Sequence, residues 1–494
     1  MASIAASVGP GKSSARLARP PDWPVFAGLA VLILLVRGGW FGNPVADIDE
    51  QLYSFIGWRM LHGELPFVDW WDRKPFGLFA IFAFAHLLGG PGPLAYQALA
   101  AGATFGGAVL TYLLARPLAD RAGAAIAGAF YVMLMSAYAS YSGQSEAFHV
   151  PLTLAMLLLV RDRVAPDYGR RALAAMAIGG LALQVKYTVL PQCAFLGCWA
   201  LWTEFRRGAD PVGLIVRALA YTVLGLAPTV LIATFYLALG EFDAFYFANF
   251  VSFFQRAGAG RFNPDHWLWL LPIAALLAGG LYSVLRVAPP RDRPLYGFYG
   301  AWFVSALATV LLPATLYMYY LAALVPGAVL LATPLFDRRT IMGMAPAFLL
   351  LAGAVHILAL PDRYRSAQQE RRDVTRFAAA IAPHVDAREN CLYVFDGPTV
   401  LYRLTGGCAP SRFVYPDHLT NALETEALGV SQAGEVARVL STRPAAIVTT
   451  TTPTQRQNPR GLALVQRAIR EEYEPIAKIT IGIQDFVAWA RRPG

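Results

Sequence analysis

The stretch DIDEQLYSFIGWRMLHGELPFVDWWDRKPFG, residues 47–77, decides how the rest of the chain is interpreted. Its three leading acids come directly after an apolar run of about one membrane thickness. An amphipathic segment with apolar residues near helical spacing follows at 52–61, and an aromatic-acidic cluster then leads to Arg73 and Lys74. Acids at one end and bases at the other, beside a membrane, favour a site for a charged substrate. The alternative is a solvated loop whose tryptophans lie at the lipid interface.

The composition is that of a membrane protein. Hydrophobic residues make up 56% of the chain, charged residues 15%, and the mean hydropathy is +0.45. Soluble domains are usually about a quarter charged. The net charge of +9 is therefore interpreted as basic cytoplasmic loops and not as nucleic-acid binding. Residues 1–23 are largely polar and basic and lack a signal-peptide pattern, which predicts a cytoplasmic N-terminal tail.

Apolar segments predict about eleven transmembrane helices within residues 24–360. With the N-terminus in the cytoplasm, every cytoplasmic connection is basic, and an odd number of helices leaves residues 361–494 on the outer face. The first outer loop is then 42–93. Within it, the apolar segment 75–90 is short for a span and is predicted to be an interfacial or re-entrant helix. The predicted spans are 24–41, 94–115, 122–140, 147–160, 171–188, 189–204, 214–239, 267–286, 296–312, 314–333 and 340–360.

Residues 361–494 predict a small extracytoplasmic α/β domain. They contain no membrane-length apolar run. Cys391 and Cys408 lie in this region, where disulfides can persist, and we predict a bridge between them. Cys193 and Cys198 lie in an apolar span and are predicted to be buried free thiols. Predicted strands are CLYVF (391–395), AAIVTT (445–450) and FVAWA (486–490), and predicted helices lie near 366–384, 431–441 and 460–472.

The ionisable candidates all map to the outer face. Ionisable groups at membrane depth are costly and are functional candidates by default. A carboxylate can take a proton from an acceptor hydroxyl, while lysine and arginine can neutralise a phosphate leaving group. The candidate acids are Asp47, Asp49, Glu50 and Glu146, and the candidate bases are Arg73, Lys74, Lys186, Arg256 and Arg261.

Two short patterns bear on metal binding. Asp47-x-Asp49 matches an acidic pair that many sugar-nucleotide enzymes use to hold a divalent metal, and Glu146-x-x-His149 has the spacing of a carboxylate-bridged metal site. Both patterns are weak, and the second occurs once. No cofactor is therefore predicted with certainty, and a divalent metal at Asp47 and Asp49 is the alternative. The chain has no phosphate-binding P-loop motif and no G-x-G-x-x-G after a strand, so nucleotide-cofactor functions lose support.

The segment from Asp49 to Phe76 resembles the first outer loop of bacterial polyprenyl-phosphate-dependent glycosyltransferases of the GT-C fold. This group includes protein O-mannosyltransferase-like enzymes, lipid A aminoarabinose transferases and rhizobial lipopolysaccharide galacturonosyltransferases. The matching features are Asp49-Glu50, Tyr53, the turn 63–66 and Lys74-Pro75, whereas Phe76 stands where many relatives have a second proline. SEAFHVPLTLAMLLLVRD (145–162) and YMYYLAALVPGAVLL (317–331) resemble further parts of the family, so the resemblance covers about residues 24–360.

The resemblance implies roles for individual residues. Asp49 would be the catalytic base, and Glu50 and Glu146 would orient the acceptor or the sugar. Lys74 would bind the lipid phosphate, with Arg256 or Arg261 as a second ligand. Each has a simpler structural alternative, such as helix capping by Glu50. Arg73 and Lys186 complete the predicted phosphate-binding set, and the predicted substrate-lining residues are Tyr53, Trp71, His149, Tyr319 and Tyr320.

The function implied is that of an inverting-type glycosyltransferase with a GT-C catalytic domain at 24–360. It would lie in the bacterial cytoplasmic membrane with its active site facing the periplasm, and would use a polyprenyl-monophosphate sugar donor. The acceptor would be lipid A or lipopolysaccharide, a surface glycan or a protein. One alternative is a polysaccharide ligase or polymerase with a diphosphate-linked donor. The other is a lipid or sugar translocase, which predicts polar residues at the midplane and not at one face.

Overall fold

The structure is a computed structural model that describes residues 21–257, 266–287, 289–313, 315–337 and 361–493. Every predicted span within these residues contains a helix, whereas the span predicted at 340–360 lies outside them. The number eleven therefore stays a prediction. Helices long and apolar enough to cross a membrane are Trp23–Trp40, Pro93–Ala115, Pro211–Ala238, Leu268–Val287, Arg293–Leu311 and Met318–Phe336.

The first part of the chain is helical. The main helices up to residue 337 are α1 (Trp23–Arg37), α2 (Ile48–Met60), α3 (Phe76–Gly89), α4 (Pro93–Ala115), α5 (Arg121–Ala137), α6 (Ser145–Val160), α7 (Tyr168–Leu183), α8 (Leu190–Arg206), α9 (Pro211–Ala238), α10 (Phe242–Tyr246), α11 (Ser252–Gln255), α12 (His266–Tyr282), α13 (Arg293–Leu311) and α14 (Val325–Phe336). Short 3₁₀ or π segments occupy Gly38–Trp40, Tyr187–Val189, Phe247–Val251, Ser283–Val287 and Met318–Leu324.

A buried arginine fixes the end of α1 against the loop that precedes α6. Arg37 is fully buried, and its guanidinium donates to the carbonyl of Ser142 at 2.6 Å and to the hydroxyl of Thr104 on α4. These contacts satisfy both terminal nitrogens of the guanidinium, which lowers the cost of burying its charge. The next residue, Gly143, donates its backbone N–H to Glu50 at 2.5 Å. This chain of contacts places the start of α2 beside the start of α6.

The first outer loop folds as two packed helices. Asp47 caps α2, because its carboxylate accepts the backbone N–H groups of Asp49 at 2.9 Å and Glu50 at 3.2 Å. At Gly57 a Cβ atom would lie 2.7 Å from the backbone nitrogen of Ala83, so only glycine allows α2 and α3 to approach this closely. The amphipathic helix predicted at 52–61 and the helix predicted at 75–90 are both confirmed.

The C-terminal region is an α/β unit. Its sheet has the order β1 (Leu392–Val394), β2 (Ala446–Thr450), β4 (Gln484–Arg491) and β3 (Tyr473–Ile481), with β1 parallel to β2 and the other neighbours antiparallel. The three predicted strands and the predicted disulfide between Cys391 and Cys408 are confirmed, and β3 was not predicted. The free thiol of Cys193 is buried as predicted, whereas the prediction for Cys198 is wrong, because it lies on an exposed face of α8. The elements are α15 (Pro361–Ile381), β1 (Leu392–Val394), α16 (Leu401–Thr405), α17 (Pro416–Thr420), α18 (Gln432–Ser441), β2 (Ala446–Thr450), α19 (Pro459–Glu472), β3 (Tyr473–Ile481) and β4 (Gln484–Arg491).

This unit packs directly on the first outer loop. The backbone N–H of Trp71 donates to the carbonyl of Arg412 at 3.1 Å, and that of Val400 donates to Gln51 at 3.2 Å. One hydrophobic core is continuous across the contact, since it contains Leu52 and Phe79 from the loop together with residues of the sheet. The C-terminal region therefore covers the acidic N-terminal end of α2.

Candidate active site

A cavity of about 260 Å³ lies where the first outer loop, the segment before α14 and the C-terminal region meet. We call it the site cavity. Six of its lining residues come from the stretch 47–77 that the sequence singles out, namely Ile48, Asp49, Tyr53, Asp72, Arg73 and Lys74. Its lining residues are Ile48, Asp49, Tyr53, Asp72, Arg73, Lys74, Phe253, Arg256, Pro313, Tyr317, Tyr319, Tyr320, Tyr415, Asp417, His418, Glu424, Thr454 and Gln455.

Asp49 is a carboxylate of the site cavity whose two oxygens are both anchored by hydrogen bonds. Its Oδ1 accepts a hydrogen bond of 2.7 Å from the Tyr415 hydroxyl, and its Oδ2 accepts one of 3.1 Å from the Gln144 amide. Burial alone would raise the pKa of this carboxyl. The charge of Lys74 and the two hydrogen bonds outweigh burial, so the pKa of Asp49 lies below its ordinary value. Asp49 is therefore an ionised carboxylate, as a proton acceptor must be.

Lys74 lies at the start of α3, facing Asp49. Its backbone N–H donates to Asp72 at 2.8 Å, which fixes the turn into the helix. Its ammonium nitrogen lies 5.6 Å from the ring centroid of Tyr53. Burial disfavours the charge, but Asp49 and Asp72 raise the pKa of Lys74 above its ordinary value. Among the described residues no carboxylate oxygen lies within 4.0 Å of this ammonium group, so it is a cation with room for an anionic ligand.

Two arginines of the site cavity share one carboxylate. Arg73 forms a two-pronged pair with Glu424, with one distance of 2.9 Å, and Arg256 reaches the same carboxylate at 2.7 Å. A hydrogen bond of 2.8 Å to the Tyr317 hydroxyl also orients Arg256. Two positive charges against one negative charge leave this group, which we call the arginine clamp (Arg73, Arg256 and Glu424), with one positive charge.

Glu146 and Lys186 form a buried ion pair just behind the site cavity. The Lys186 ammonium lies 4.1 Å from the ring centroid of Tyr320 and 5.7 Å from that of Tyr319, and both rings line the cavity. The predicted acid Glu146 and the predicted base Lys186 therefore pair with each other and do not line the site cavity. Through these cation–π contacts, the ion pair helps to position the rings of Tyr319 and Tyr320.

Glu50 points away from the site cavity. It is fully buried and accepts hydrogen bonds from the backbone of Gly143, from Gln97 at 3.3 Å and from Tyr96 at 3.3 Å. Burial raises its pKa to about 7. Its contacts join α2 to α4 and to the loop before α6, so Glu50 holds Asp49 in place without lining the cavity. The helix cap is supplied by Asp47 and not by Glu50.

Two further predicted residues do not line the site cavity. Trp71 is buried against Phe413 and His418 of the C-terminal region, with ring centroids 5.5 Å and 4.7 Å away, and does not line the site cavity. His149 is buried within α6 and does not line it either. Arg261 lies outside the described residues.

The two aspartates of the metal-binding hypothesis, Asp47 and Asp49, already have hydrogen-bond partners in the protein. Oδ1 of Asp47 accepts the backbone N–H groups of Asp49 and Glu50. The two carboxylate oxygens of Asp49 accept hydrogen bonds from Tyr415 and Gln144. In the part of the chain that the structure describes, no group of three or more His, Cys, Asp or Glu side chains is placed to hold a metal ion. The position of Asp47 is thus explained by helix capping.

Sequence reasoning missed the C-terminal part of the lining. In a soluble-type domain, tyrosines, acids and hydroxyl residues are ordinary surface components, so nothing in their spacing marks them. The cluster Tyr415-Pro416-Asp417-His418 is the one local signal, because it sets an acid between two polar aromatic side chains. The missed residues are Tyr415, Asp417, His418, Glu424, Thr454 and Gln455.

Comparison with solved structures identifies the architecture. ArnT from Cupriavidus metallidurans bound to undecaprenyl phosphate aligns with a TM-score of 0.60 and 16% identity, over 94% of this chain and 98% of that one. The chain has the GT-C fold. ArnT in the apo state gives a TM-score of 0.57, 15% identity and the same coverage. No family model and no curated protein sequence matches the chain.

A second GT-C protein shows a more distant likeness. The archaeal oligosaccharyltransferase AglB from Archaeoglobus fulgidus, solved with an inhibitory peptide and a dolichol-phosphate, aligns with a TM-score of 0.52 and 12% identity. The alignment covers 87% of this chain and 69% of AglB. The GT-C expectation from the first outer loop is therefore confirmed, and the ArnT likeness extends beyond the spans into the C-terminal region, since it covers 94% of the chain.

Proposed function

We propose that the protein is a membrane glycosyltransferase that moves a sugar from a polyprenyl-monophosphate donor to an acceptor hydroxyl on the outer face of the bacterial cytoplasmic membrane. One observation carries the proposal. The site cavity holds the ionised carboxylate of Asp49 beside the cations Lys74, Arg73 and Arg256. The solved GT-C relatives were obtained with undecaprenyl phosphate and with a dolichol-phosphate, ligands that carry the same phosphate headgroup.

The proposed reaction uses the Asp49 carboxylate as a base and the cations of the cavity as ligands of the phosphate. Asp49 takes the proton of the acceptor hydroxyl, and the acceptor oxygen attacks the anomeric carbon from the face opposite the phosphate. The bond between that carbon and the phosphate oxygen breaks, and its electron pair leaves with the polyprenyl phosphate. Lys74 and the arginine clamp neutralise the charge that develops there, and such preorganised electrostatics is often the largest catalytic contribution.

The proposed orientation places residues 24–360 as the membrane-embedded catalytic part and 361–494 in the periplasm. The basic connections between the predicted spans support the cytoplasmic assignment of the opposite face. The disulfide between Cys391 and Cys408 also fits an oxidising compartment. A reporter that is active only in the periplasm, fused after residue 494, should be active, and activity of a cytoplasmic reporter alone would reverse the orientation.

Purified protein in proteoliposomes, incubated with radiolabelled polyprenyl-phosphate sugars and extracted envelope acceptors, tests the function directly. The expected result is label in an acceptor and release of polyprenyl phosphate, with neither in the Asp49→Asn variant. Diphosphate-linked donors run in parallel decide between a transferase and a polysaccharide ligase. Movement of labelled lipid between leaflets without transfer would instead favour a translocase.

A further inference from the structure

Asp417 differs from the other carboxylates of the site cavity. It lies in α17 of the C-terminal region, where its Oδ2 accepts one long hydrogen bond of 3.3 Å from Asn421. Arg256 pairs with Glu424, and His418, whose pKa burial lowers to about 3, faces Asp72. Within the described ranges, no Lys, Arg or His nitrogen lies within 4.0 Å of the Asp417 carboxylate.

Two of the other three carboxylates of the cavity are compensated, whereas burial raises the pKa of the third, Asp72, above its ordinary value. Asp49 has Tyr415, Gln144 and the charge of Lys74, and Glu424 has two arginines. Asp72 accepts the backbone N–H of Lys74 at 2.8 Å. A carboxylate out of water without such partners is unfavourable. Consistently, burial raises the pKa of Asp417 to about 6.

Neutral hydrogen-bonding groups of the C-terminal region line the cavity together with Asp417. Thr454 and Gln455 come from the loop between β2 and α19 and complete the lining contributed by the C-terminal region. A carboxylate, an amide and a hydroxyl together are suited to the hydroxyl groups of a saccharide, since carboxylates accept from hydroxyls and an amide both donates and accepts. A ligand with its own carboxylate would meet repulsion at Asp417.

We propose that Asp417, with Thr454 and Gln455, forms a saccharide subsite that binds the hydroxyl groups of a neutral sugar and disfavours a uronic acid. The inference rests on the proposed function and adds the substrate class. In this arrangement the donor phosphate binds at Lys74 and the arginine clamp, and the saccharide binds beside it at Asp417. The hydroxyls belong either to the donor sugar or to a saccharide acceptor, and both present the same chemistry to the subsite.

Binding and kinetics of Asp417→Asn separate these sources. The ligands are a short-chain prenyl phosphate, its neutral hexose derivative and its hexuronic-acid derivative, measured by calorimetry, followed by steady-state transfer with a saccharide acceptor. The matched control is Asp396→Asn, because Asp396 is also a carboxyl with a raised pKa in the C-terminal region but does not line the cavity. Both substitutions keep the side-chain shape.

If the subsite holds the donor sugar, Asp417→Asn loses about tenfold to a hundredfold of the hexose derivative's affinity and none of the prenyl phosphate's. If it holds the acceptor, donor affinity is unchanged and the KM for the acceptor rises by a similar factor. In the donor case the hexuronic-acid derivative should bind the variant better than it binds the wild-type protein. If Asp417→Asn changes neither the donor affinity nor the acceptor KM, or if Asp396→Asn loses as much, the saccharide subsite is overturned while the proposed function stands. A wild-type protein that binds none of the three prenyl ligands would overturn the proposed function itself, and the inference with it.

Discussion

The hydroxyl of Tyr415 donates a hydrogen bond of 2.7 Å to Asp49, although 366 positions separate the two residues in sequence. The contact ties the proposed catalytic base to the C-terminal region. It also helps to keep the Asp49 pKa below its ordinary value, together with Lys74 and Gln144. The C-terminal region therefore tunes the reactive carboxylate as well as covering it.

Tyr415→Phe should move the acid limb of the pH–rate profile to higher pH. Without the phenol donor the ionised form of Asp49 is less favoured, so its pKa rises and protonation stops catalysis at a higher pH. A hydrogen bond to a charged group is worth about 1.5–3 kcal/mol, which corresponds to a shift of about one to two pH units. Measuring kcat/KM against pH checks this. Tyr402→Phe, which changes another buried tyrosine of the same region, should leave the limb in place.

Asp49→Asn and Asp47→Asn should behave differently. In Asp49→Asn the new amide could still accept hydrogen bonds but could take no proton at neutral pH, so turnover should fall by about a hundredfold to ten-thousandfold with donor binding retained. Asp47→Asn should stay close to wild type because asparagine is also a good helix cap, whereas Asp47→Ala should cost about 1 kcal/mol of unfolding free energy. Equal intolerance of Asp47→Asn and Asp49→Asn, with loss of activity on chelation, would support the metal hypothesis instead.

Lys74→Ala should weaken binding of the donor phosphate. The ammonium group is the free cation beside Asp49 within the described part of the site, and its removal leaves the phosphate poorly compensated. We expect a loss of about tenfold to a hundredfold in donor affinity, partly restored in Lys74→Arg. Calorimetry with a prenyl phosphate measures it. Lys478→Ala removes an exposed lysine paired with Asp485 and should change nothing; donor affinity unaffected by Lys74→Ala would contradict the phosphate role.

Glu424→Gln should destabilise the protein by about 3–5 kcal/mol, because it leaves two buried arginines without their shared carboxylate. The two arginines hold the pKa of Glu424 at about 2, against the opposing effect of burial. A lowered folded-state pKa contributes stability above the ordinary value of 4.5, and that contribution is lost as the pH falls toward about 2. Unfolding at several pH values should show this acid dependence reduced in the variant. Glu472→Gln, in an exposed pair with Arg443, should cost less than about 1 kcal/mol.

Cys408→Ser should lower stability without stopping catalysis. The bridge to Cys391 closes a loop of 17 residues away from the site cavity, and closing such a loop contributes about 3 kcal/mol in the chain-entropy description. Thermal unfolding of the variant, beside Cys198→Ser as a free-thiol control, measures the difference. Full stability of Cys408→Ser, or complete loss of turnover in a folded variant, would contradict this role.

The sequence was most informative where local chemistry and local structure coincide. The acidic start of α2, the glycine-proline turn and Lys74 before α3 are all local, and the helices and the cavity agree with their prediction. The partners of Glu146 and Arg73 could not be predicted, because pairing depends on contacts over 40 and 351 positions. Strand β3 was missed because Pro475 and alternating charges obscure its pattern, and it follows α19 without a turn.

The arginine clamp has a consequence for biosynthesis. Arg73 emerges from the ribosome early and Arg256 near the middle of the chain, but Glu424 arrives only after the spans have been made. A nascent chain therefore carries two uncompensated arginines and an open cavity until its C-terminal region has been made and folded over them. Under the proposed function, catalytic competence is reached only when the C-terminal region has folded, so a truncated chain ending before residue 424 would be inactive.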